Sequence, residues 1–260
     1  MNNTLIKGLA ILETLARAEV PMGVTEIALA LALPKSNAHR MLQALTDQRY
    51  VIRHPGGRYS ASIKLWELGS AALSGFDLRR HAESVMEALM ERTGESVHLS
   101  VLDQREVVYV HKVESPNPVR AYSQIGGRAA AHCVATGKAM IAFRGRTALA
   151  AMSEHLDSHT DRTLTDPARF LAEMEQVRKR GYAVNREEWR IGVSGVAAPI
   201  GDAAGTVIAA IGLSGPAERF KPARLRQFAE EVMQAAAGLS AGLGGGESHH
   251  VLSRVTSAWH

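Results

Sequence analysis

The sequence predicts an α+β protein of two domains: a small N-terminal domain of helices with one hairpin, and a larger C-terminal domain of strands and helices. Within the first 61 residues, three segments with apolar residues at helical spacing precede a glycine turn between two short strands. Further along, strands alternate with helices and hairpin turns join neighbouring strands, which is typical of antiparallel α+β folds. With 260 residues, the chain is long enough to bury two hydrophobic cores.

The N-terminal domain, residues 1–65, is predicted to be a winged helix-turn-helix. Leucines at helical spacing predict a first helix over residues 4–18. Thr25 is the expected cap of a second helix, which Pro34 stops because proline disfavours a helical residue before it. A third helix is predicted from residue 35 or 36 to 48. The remaining segments are a loop at Val20–Gly23, strands at 50–53 and 58–61, and the turn His54–Gly57 between these strands.

The third predicted helix has an apolar face and a polar face. The apolar face, expected to pack on the first two helices, consists of Ala38, Met41, Leu42 and Leu45. The polar face offers donors suited to base edges, since Arg can bind guanine and Asn or Gln can bind adenine. We therefore predict double-stranded DNA as a partner. Asp47 is expected to lie beyond the groove or to be paired, with Arg40 and Arg49 as the candidate cations. The predicted DNA contacts are Lys35, Ser36, Asn37, His39, Arg40 and Gln43 from the helix, and Arg53 and Arg58 from the wing.

The excess positive charge of the chain is confined to this first domain. Residues 1–65 contain eight Lys and Arg against four Asp and Glu, whereas the rest of the chain carries equal numbers of each. A polyanionic partner is therefore expected at the N-terminal domain. Because an excess of four charges also arises by chance, the DNA prediction depends on the helix face and the wing.

A linker is predicted at residues 66–76, in a helical segment that breaks at Gly75, and the C-terminal domain at residues 77–243. Helices are expected over 77–93, 135–144 and 167–180 and from Pro222 onward, and strands over 97–102, 107–112, 193–200 and 206–213. This alternation predicts an α+β or an α/β/α sensor-like domain with antiparallel strand pairing. The Gly-, Ser- and His-rich tail, residues 244–260, is predicted to be disordered.

Several motifs, spread over almost the whole chain, resemble those of IclR-family regulators. They are Leu33–Leu42, Gly57–Tyr59, Ala135–Ala139, Gly181–Glu188, Gly192–Ile200 and Leu213–Pro216. The resemblance implies a winged helix, a linker helix that dimerises and a GAF-like effector-binding domain, assembled into a homodimer or homotetramer. It also implies a DNA-binding transcriptional regulator whose operator binding is controlled by a small organic-acid effector.

The same resemblance implies an effector site built from three stretches of the C-terminal domain. Its residues in this chain are Ala135, Thr136, Asn185, Gly195, Gly212 and Ser214. An acid, a cysteine and a serine are typical at Asn185, Gly195 and Gly212 where the ligand is a small oxoacid. Their replacement predicts a roomier, less anionic pocket, suited to an aromatic carboxylate that backbone N–H groups near residues 135–137 would hold. Alternatively, the two glycines serve turns or close strand packing. Weaker candidates for the site are Arg128, His132 and Trp189.

No catalytic, cofactor or metal site is predicted. Gly137 and Lys138 lack the earlier glycine and the following hydroxyl residue of a phosphate-binding loop. Ser194 and Ser214 do not complete the Gly-x-Ser-x-Gly motif of a hydrolase. The spacing of His155 and His159 would suit a metal on a helix, but their polar surroundings favour exposure.

Cysteine content and hydropathy indicate a cytoplasmic protein. Cys133 is the only cysteine, which excludes an intrachain disulfide and a multi-cysteine zinc site. No apolar run approaches the ~18 residues of a membrane span, and no signal peptide is visible at the N-terminus. Two other functions stay open: a small-molecule sensor with a protein-binding winged helix, and an enzyme with an accessory N-terminal domain.

Overall fold

The computed structural model describes residues 3–73, 78–121 and 123–243. These residues form two compact units, one ending at residue 73 and the other beginning at residue 78. Each unit has hydrophobic core residues of its own. The predicted break at Gly75 and the predicted disordered tail, residues 244–260, lie outside the described residues.

The first unit is a winged helix-turn-helix. Its elements are α1 (Asn3–Arg17), β1 (Met22–Gly23), α2 (Val24–Ala30), α3 (Lys35–Asp47), β2 (Val51–Arg53), β3 (Arg58–Ala61) and α4 (Lys64–Leu73). The first three helices and the wing share a core of Ile11, Leu15, Ile27, Met41, Leu42, Val51 and Tyr59. α4 is the helical segment expected at the start of the linker.

Two local predictions in this unit are wrong. The segment predicted as a loop at Val20–Gly23 contains β1, which pairs with β3, so the wing sheet has three strands in the order β1-β3-β2. Thr25 does not cap α2, because the helix begins at Val24 and its cap residue is Gly23. The N–H of Gly23 donates to Oε2 of Glu26 at 2.7 Å. A first-turn carboxylate that reaches back in this way stabilises the helix start without a capping side chain.

The second unit is a six-stranded antiparallel sheet between two layers of helices. Its helices are α5 (Leu78–Thr93), α6 (Ala135–Ile141), α7 (Arg146–Ser153), α8 (Pro167–Arg180) and α9 (Pro222–Gly242). Its strands are β4 (Ser96–Asp103), β5 (Glu106–Val113), β6 (Arg128–Ala130), β7 (Ala183–Arg186), β8 (Val193–Gly201) and β9 (Val207–Pro216). The sheet order is β6-β5-β4-β9-β8-β7. The sequence did not predict β6, α7 or β7, and the helix expected over 135–144 ends at Ile141.

Alternation along the strands divides the apolar side chains between two cores. In β9, Ala209 and Ile211 belong to the core beneath α5 and α9, whereas Ala210 belongs to the core beneath α6 and α8. Helices therefore cover both faces of the sheet, which is the α/β/α arrangement among the two that the sequence left open. Among the residues described, no helix is both long enough and apolar enough to cross a membrane.

Candidate nucleic-acid interface and ligand cavity

The two faces predicted for α3 are present in the structure. Ala38, Met41 and Leu42 are buried and Leu45 is half-buried, so this side packs into the first unit. Of the predicted contacts on the other side, Asn37 is half-buried. The others are exposed: Lys35, Ser36, His39, Arg40 and Gln43. The helix therefore presents a polar surface to solvent, while its apolar side packs against the core.

The cations of this surface are available to a partner. Within residues 3–73, Lys35 and Arg40 make no ion pair with an acidic side chain. Among the described residues, Asp47 makes no ion pair with Arg40 or Arg49, and its Oδ1 instead accepts from Gln43 Nε2 at 2.9 Å. This bond leaves the carbonyl oxygen and one amide hydrogen of Gln43 for a base edge. The alternative, that Asp47 lies beyond the groove, stays a prediction.

The two wing arginines differ in their surroundings. The Arg58 guanidinium donates to Pro21 O at 2.7 Å and lies 3.0 Å from Glu26 Oε2, so it joins the wing to the start of α2. The Gly23 N–H and, secondarily, Arg58 hold the pKa of the Glu26 carboxyl below its usual value. Arg53 is exposed and has no ion pair among the described residues. Arg53 is therefore the freer cation of the wing.

A cavity of about 240 Å³ opens in the second unit, on the face of the sheet that α6 covers. All six effector residues predicted from the sequence line it: Ala135, Thr136, Asn185, Gly195, Gly212 and Ser214. The structure thus brings together residues from α6, β7, β8 and β9 that are far apart in the chain.

Sheet register explains this convergence. Asn185 is paired with Gly195, and Gly195 is paired with Ser214, so the three stand side by side on adjacent strands. Gly212, two residues before Ser214 on β9, faces the same side and is paired with His98 of β4. Because side chains alternate along a strand, these positions form one continuous floor beneath the start of α6.

The two glycines of this floor are held by close packing. A Cβ atom on Gly195 would lie 2.7 Å from the carbonyl oxygen of Leu213. A Cβ atom on Gly212 would lie 2.7 Å from the Cβ of Ala197 and 2.8 Å from Val196 O. Of the two interpretations given for these glycines, this geometry favours close strand packing over enlargement of the pocket.

His98 is a lining residue that sequence reasoning missed. It is buried, and its ring nitrogens lie 2.6 Å from Ser214 Oγ and 3.1 Å from Ser123 Oγ. Burial, with a smaller contribution from Lys112, lowers the pKa of His98 to about 4, so the ring is neutral at pH 7. Its ring also lies 5.3 Å from that of Tyr109, another lining residue. The alternation of apolar and polar residues in Val97–Ser100 could have indicated that His98 and Ser100 share one face of the sheet.

A buried ion pair fixes the segment that forms one cavity wall. Lys138 Nζ lies 2.6 Å from Glu188 Oε2, and both side chains are almost completely buried. Glu188 Oε1 also accepts from the backbone N–H of Arg186, and Asn185 Oδ1 accepts from the N–H of Glu188. Lys138, which the sequence offered only as part of an incomplete phosphate loop, therefore positions the wall that carries Asn185 and Trp189.

The weaker candidates for the site fall in different places. Trp189 and Arg128 line the cavity, but Arg128 is paired with Asp103 and Glu106. His132 does not line it. The cavity also has a cation that was not predicted, Arg190, which is exposed and makes no ion pair within the described part of the chain.

The histidine pair weighed as a metal site is not on a helix. His155 and His159 lie in the segment between α7 and α8. The ring of His159 instead packs on Trp189, with centroids 4.4 Å apart, and lies 6.1 Å from the ring of His132. His159 therefore belongs to a group of side chains behind the cavity wall.

Comparison with known proteins gives consistent matches along the chain. Residues 4–55 match the family model described as the IclR helix-turn-helix domain, and residues 70–241 match that of the bacterial transcriptional regulator IclR C-terminal. The chain is 35% identical over 245 residues to the HTH-type transcriptional regulator KdgR of Escherichia coli (strain K12), covering 93% of each.

Solved structures show the same fold. The crystal structure of the Thermotoga maritima IclR is similar, with a TM-score of 0.79 and 33% identity, covering 94% of this chain and 100% of that one. An IclR homolog from Microbacterium hydrocarbonoxydans, complexed with 4-hydroxybenzoate, has a TM-score of 0.83 at 24% identity, covering 93% of this chain and 99% of that one.

Proposed function

The chain belongs to the IclR family of bacterial transcriptional regulators, and on that premise we propose that an organic acid in the cavity controls operator binding by α3 and the wing. It is a DNA-binding transcriptional regulator with a C-terminal effector-binding domain and is not an enzyme. Beyond this, we propose which residues contact DNA, which class of effector binds and how the chains assemble.

The exposed polar face of α3 is the observation that carries the DNA-reading proposal. Arg40 is exposed near the middle of the helix without an acidic partner, and it is suited to a bidentate contact with guanine. Lys35, Ser36 and Asn37 occupy the first turn, where backbone N–H groups also favour a phosphate. Arg53 adds a phosphate or minor-groove contact from the wing.

A binding assay with matched arginine variants tests this assignment. An operator selected from random duplexes is labelled, and its affinity for wild type, Arg40→Ala and Arg169→Ala is measured by fluorescence anisotropy at several salt concentrations. Arg40→Ala is expected to lose specific binding. Arg169→Ala removes the same charge from an exposed position on α8 and is expected to retain specific binding. Wild-type protein without salt-sensitive duplex affinity would instead favour the protein-binding sensor.

The proposed effector is an organic acid small enough for the cavity. About 240 Å³ is below the ~300 Å³ at which pockets for drug-sized ligands begin. His98 is neutral and therefore offers hydrogen bonds but no charge. Arg190 lines the cavity, is exposed and has no ion pair among the described residues, and it would hold the carboxylate.

An aromatic carboxylate is the finer proposal. The rings of Tyr109, Trp189 and His98 line the cavity and offer stacking surfaces for one aromatic ring. The Microbacterium homolog with 4-hydroxybenzoate shows that a protein of this fold binds such an acid. The close packing of Gly195 and Gly212 removes one argument for a larger ligand, so this proposal depends on the rings and on Arg190.

Calorimetry with a panel of acids tests the ligand class. Benzoate and 4-hydroxybenzoate are expected to bind, and Arg190→Ala is expected to weaken binding by tenfold or more, which corresponds to about 1.4 kcal/mol. Arg186→Ala, an exposed arginine outside the cavity lining, is the matched control. If glyoxylate or pyruvate binds and neither aromatic acid does, the proposal of an aromatic carboxylate is contradicted. The assignment of the protein as an acid-controlled regulator would be unaffected.

We further propose a cytoplasmic homodimer or homotetramer. Exposed apolar side chains on α1 and α4 favour self-association of the first unit. They include Leu5, Leu9 and Trp66. Two recognition helices would then meet half-sites about one turn, ~34 Å, apart. The effector changes operator affinity only if it binds unequally to the two arrangements of the dimer.

A further inference from the structure

A second group of potential ligands lies behind the wall that Trp189 forms. It consists of His132 and Cys133, just before α6, and His159, in the segment between α7 and α8; we call it the His–Cys cluster. One imidazole nitrogen from each histidine and the Cys133 Sγ lie within 4.8 Å of one another. None of the three lines the cavity, so the cluster is separate from the proposed effector site.

From this juxtaposition, we propose that the His–Cys cluster binds one divalent transition-metal ion of the zinc type through three protein ligands. Two imidazoles and a thiolate are ligands that Zn²⁺ favours, at ~2.0–2.3 Å. Because no separation exceeds 4.8 Å, a contraction of at most about 1 Å brings the ligand atoms to tetrahedral spacing. The exposed His159 is the least confined of the three. Three protein ligands leave a fourth position for water or another ligand.

The hydrogen bond of His132 matches that of a metal-ligating histidine. His132 Nε2 lies 3.0 Å from the backbone carbonyl oxygen of Asp157. An N–H donated to this carbonyl leaves a lone pair on Nδ1 and fixes the ring, which is the usual outer-shell arrangement.

Metal binding at Cys133 requires the thiolate, so the thiol proton is released to solvent as the metal–sulfur bond forms. The charge of the nearby Glu188 is already paired with Lys138, so this ion pair adds little net charge at the site.

The segment that carries His159 is held in place by threonine hydroxyls. Thr163 Oγ1 accepts from the N–H of His159 at 3.1 Å and donates to Glu188 O at 2.7 Å. Thr160 Oγ1 donates to Glu187 O at 2.7 Å. The third ligand is therefore kept near the other two without a metal, so binding requires little ordering of the chain.

Cobalt titration tests the site in the full chain after chelator treatment. Co²⁺ is expected to bind with a thiolate charge-transfer band and intense tetrahedral visible bands, and Zn²⁺ is expected to displace it. Because Cys133 is the only cysteine, the charge-transfer band reports this site even if histidines elsewhere bind metal. Cys133→Ser is expected to abolish the band.

If Cys133→Ser fails to fold, a variant of the exposed ligand His159 still tests the proposal. His159→Ala is expected to weaken Co²⁺ binding more than about tenfold, since even outer-shell changes cost 10–100-fold. His155→Ala, an exposed histidine outside the cluster, is the matched control and is expected to bind as wild type. Absence of a thiolate band in folded wild type, or an affinity that His159→Ala leaves unchanged, would overturn the proposal.

Discussion

Gly137 shows at the residue scale why a glycine is needed at the start of α6. A Cβ atom at this position would lie 2.1 Å from the carbonyl oxygen of Ala131 and 2.5 Å from its Cα. No side-chain movement relieves a contact with backbone, so α6 itself would have to shift. The glycine that resembled part of a phosphate loop instead permits close approach of two backbone segments.

Substitution of Gly137 is therefore expected to destabilise the second unit. Gly137→Ala should lower the free energy of unfolding by about 3 kcal/mol or more, the upper range for overpacking. Gly238→Ala is the matched control, since Gly238 is also helical but has no atom within 4 Å of an added Cβ. It should stabilise by about 0.5–1 kcal/mol. Urea unfolding measures both, and equal effects would contradict the packing account.

His98 makes stability depend on pH. Its folded pKa of about 4 lies below the ordinary 6.5, so between these values the unfolded chain binds a proton that the folded chain excludes. Stability is therefore highest above pH 6.5 and falls as the pH drops toward 4, by up to about 1.4 kcal/mol per pH unit. His98→Gln, which retains hydrogen bonding to Ser214 and Ser123, should flatten this slope. Thermal unfolding across the window measures it, and a slope equal to wild type would show that His98 does not contribute.

At the scale of elements, the buried pair of Lys138 and Glu188 joins α6 to the segment after β7. Lys138→Met alone should destabilise the protein by about 3–5 kcal/mol, because it leaves a buried carboxylate without its cation. The double variant Lys138→Met/Glu188→Leu should recover much of this loss. Denaturant unfolding of the four proteins closes a double-mutant cycle. Additive losses would contradict a direct coupling.

Replacement of the two wing arginines is expected to change the salt dependence of operator binding by different amounts. Arg53→Ala should reduce the slope of log K against log salt by about 0.9, the effect of one lost phosphate contact. Arg58→Ala should reduce the slope less and lower the melting temperature of the first unit, because Arg58 joins β3 to Pro21 and Glu26. Operator binding over a salt series and thermal melts measure both. The reverse order of slopes would mean that Arg58 leaves Glu26 to bind DNA.

Sequence periodicity predicts the long elements well because each contains a repeated apolar face. α8 begins at Pro167 and ends before Gly181, as its proline and glycine signals indicate. β6, with three residues, and α7, with eight, contain too few apolar repeats to be distinguished from loops. The contacts of Gly195 and the burial of His98 depend on neighbouring strands, which local sequence does not specify.

Across the whole molecule, the residues of the proposed effector site could be predicted only through family motifs. All six residues carried over from the resemblance line one cavity, because strand register and α6 bring them together. Sequence reasoning missed Arg190 and the His–Cys cluster, because their positions depend on the fold of segments outside helices and strands. Regulation requires that operator and effector affinities be coupled, and such coupling is reciprocal.

The affinity for a selected operator duplex, measured with and without each acid of the panel, tests whether an acid in the cavity controls operator binding. We expect salt-sensitive binding that one acid changes by at least about fivefold, the lower range of allosteric coupling. Arg190→Ala should bind the operator normally but lose the response, whereas Arg186→Ala should keep it. A protein that does not bind duplex DNA, or whose binding no acid changes while Arg190→Ala behaves as wild type, would contradict the account.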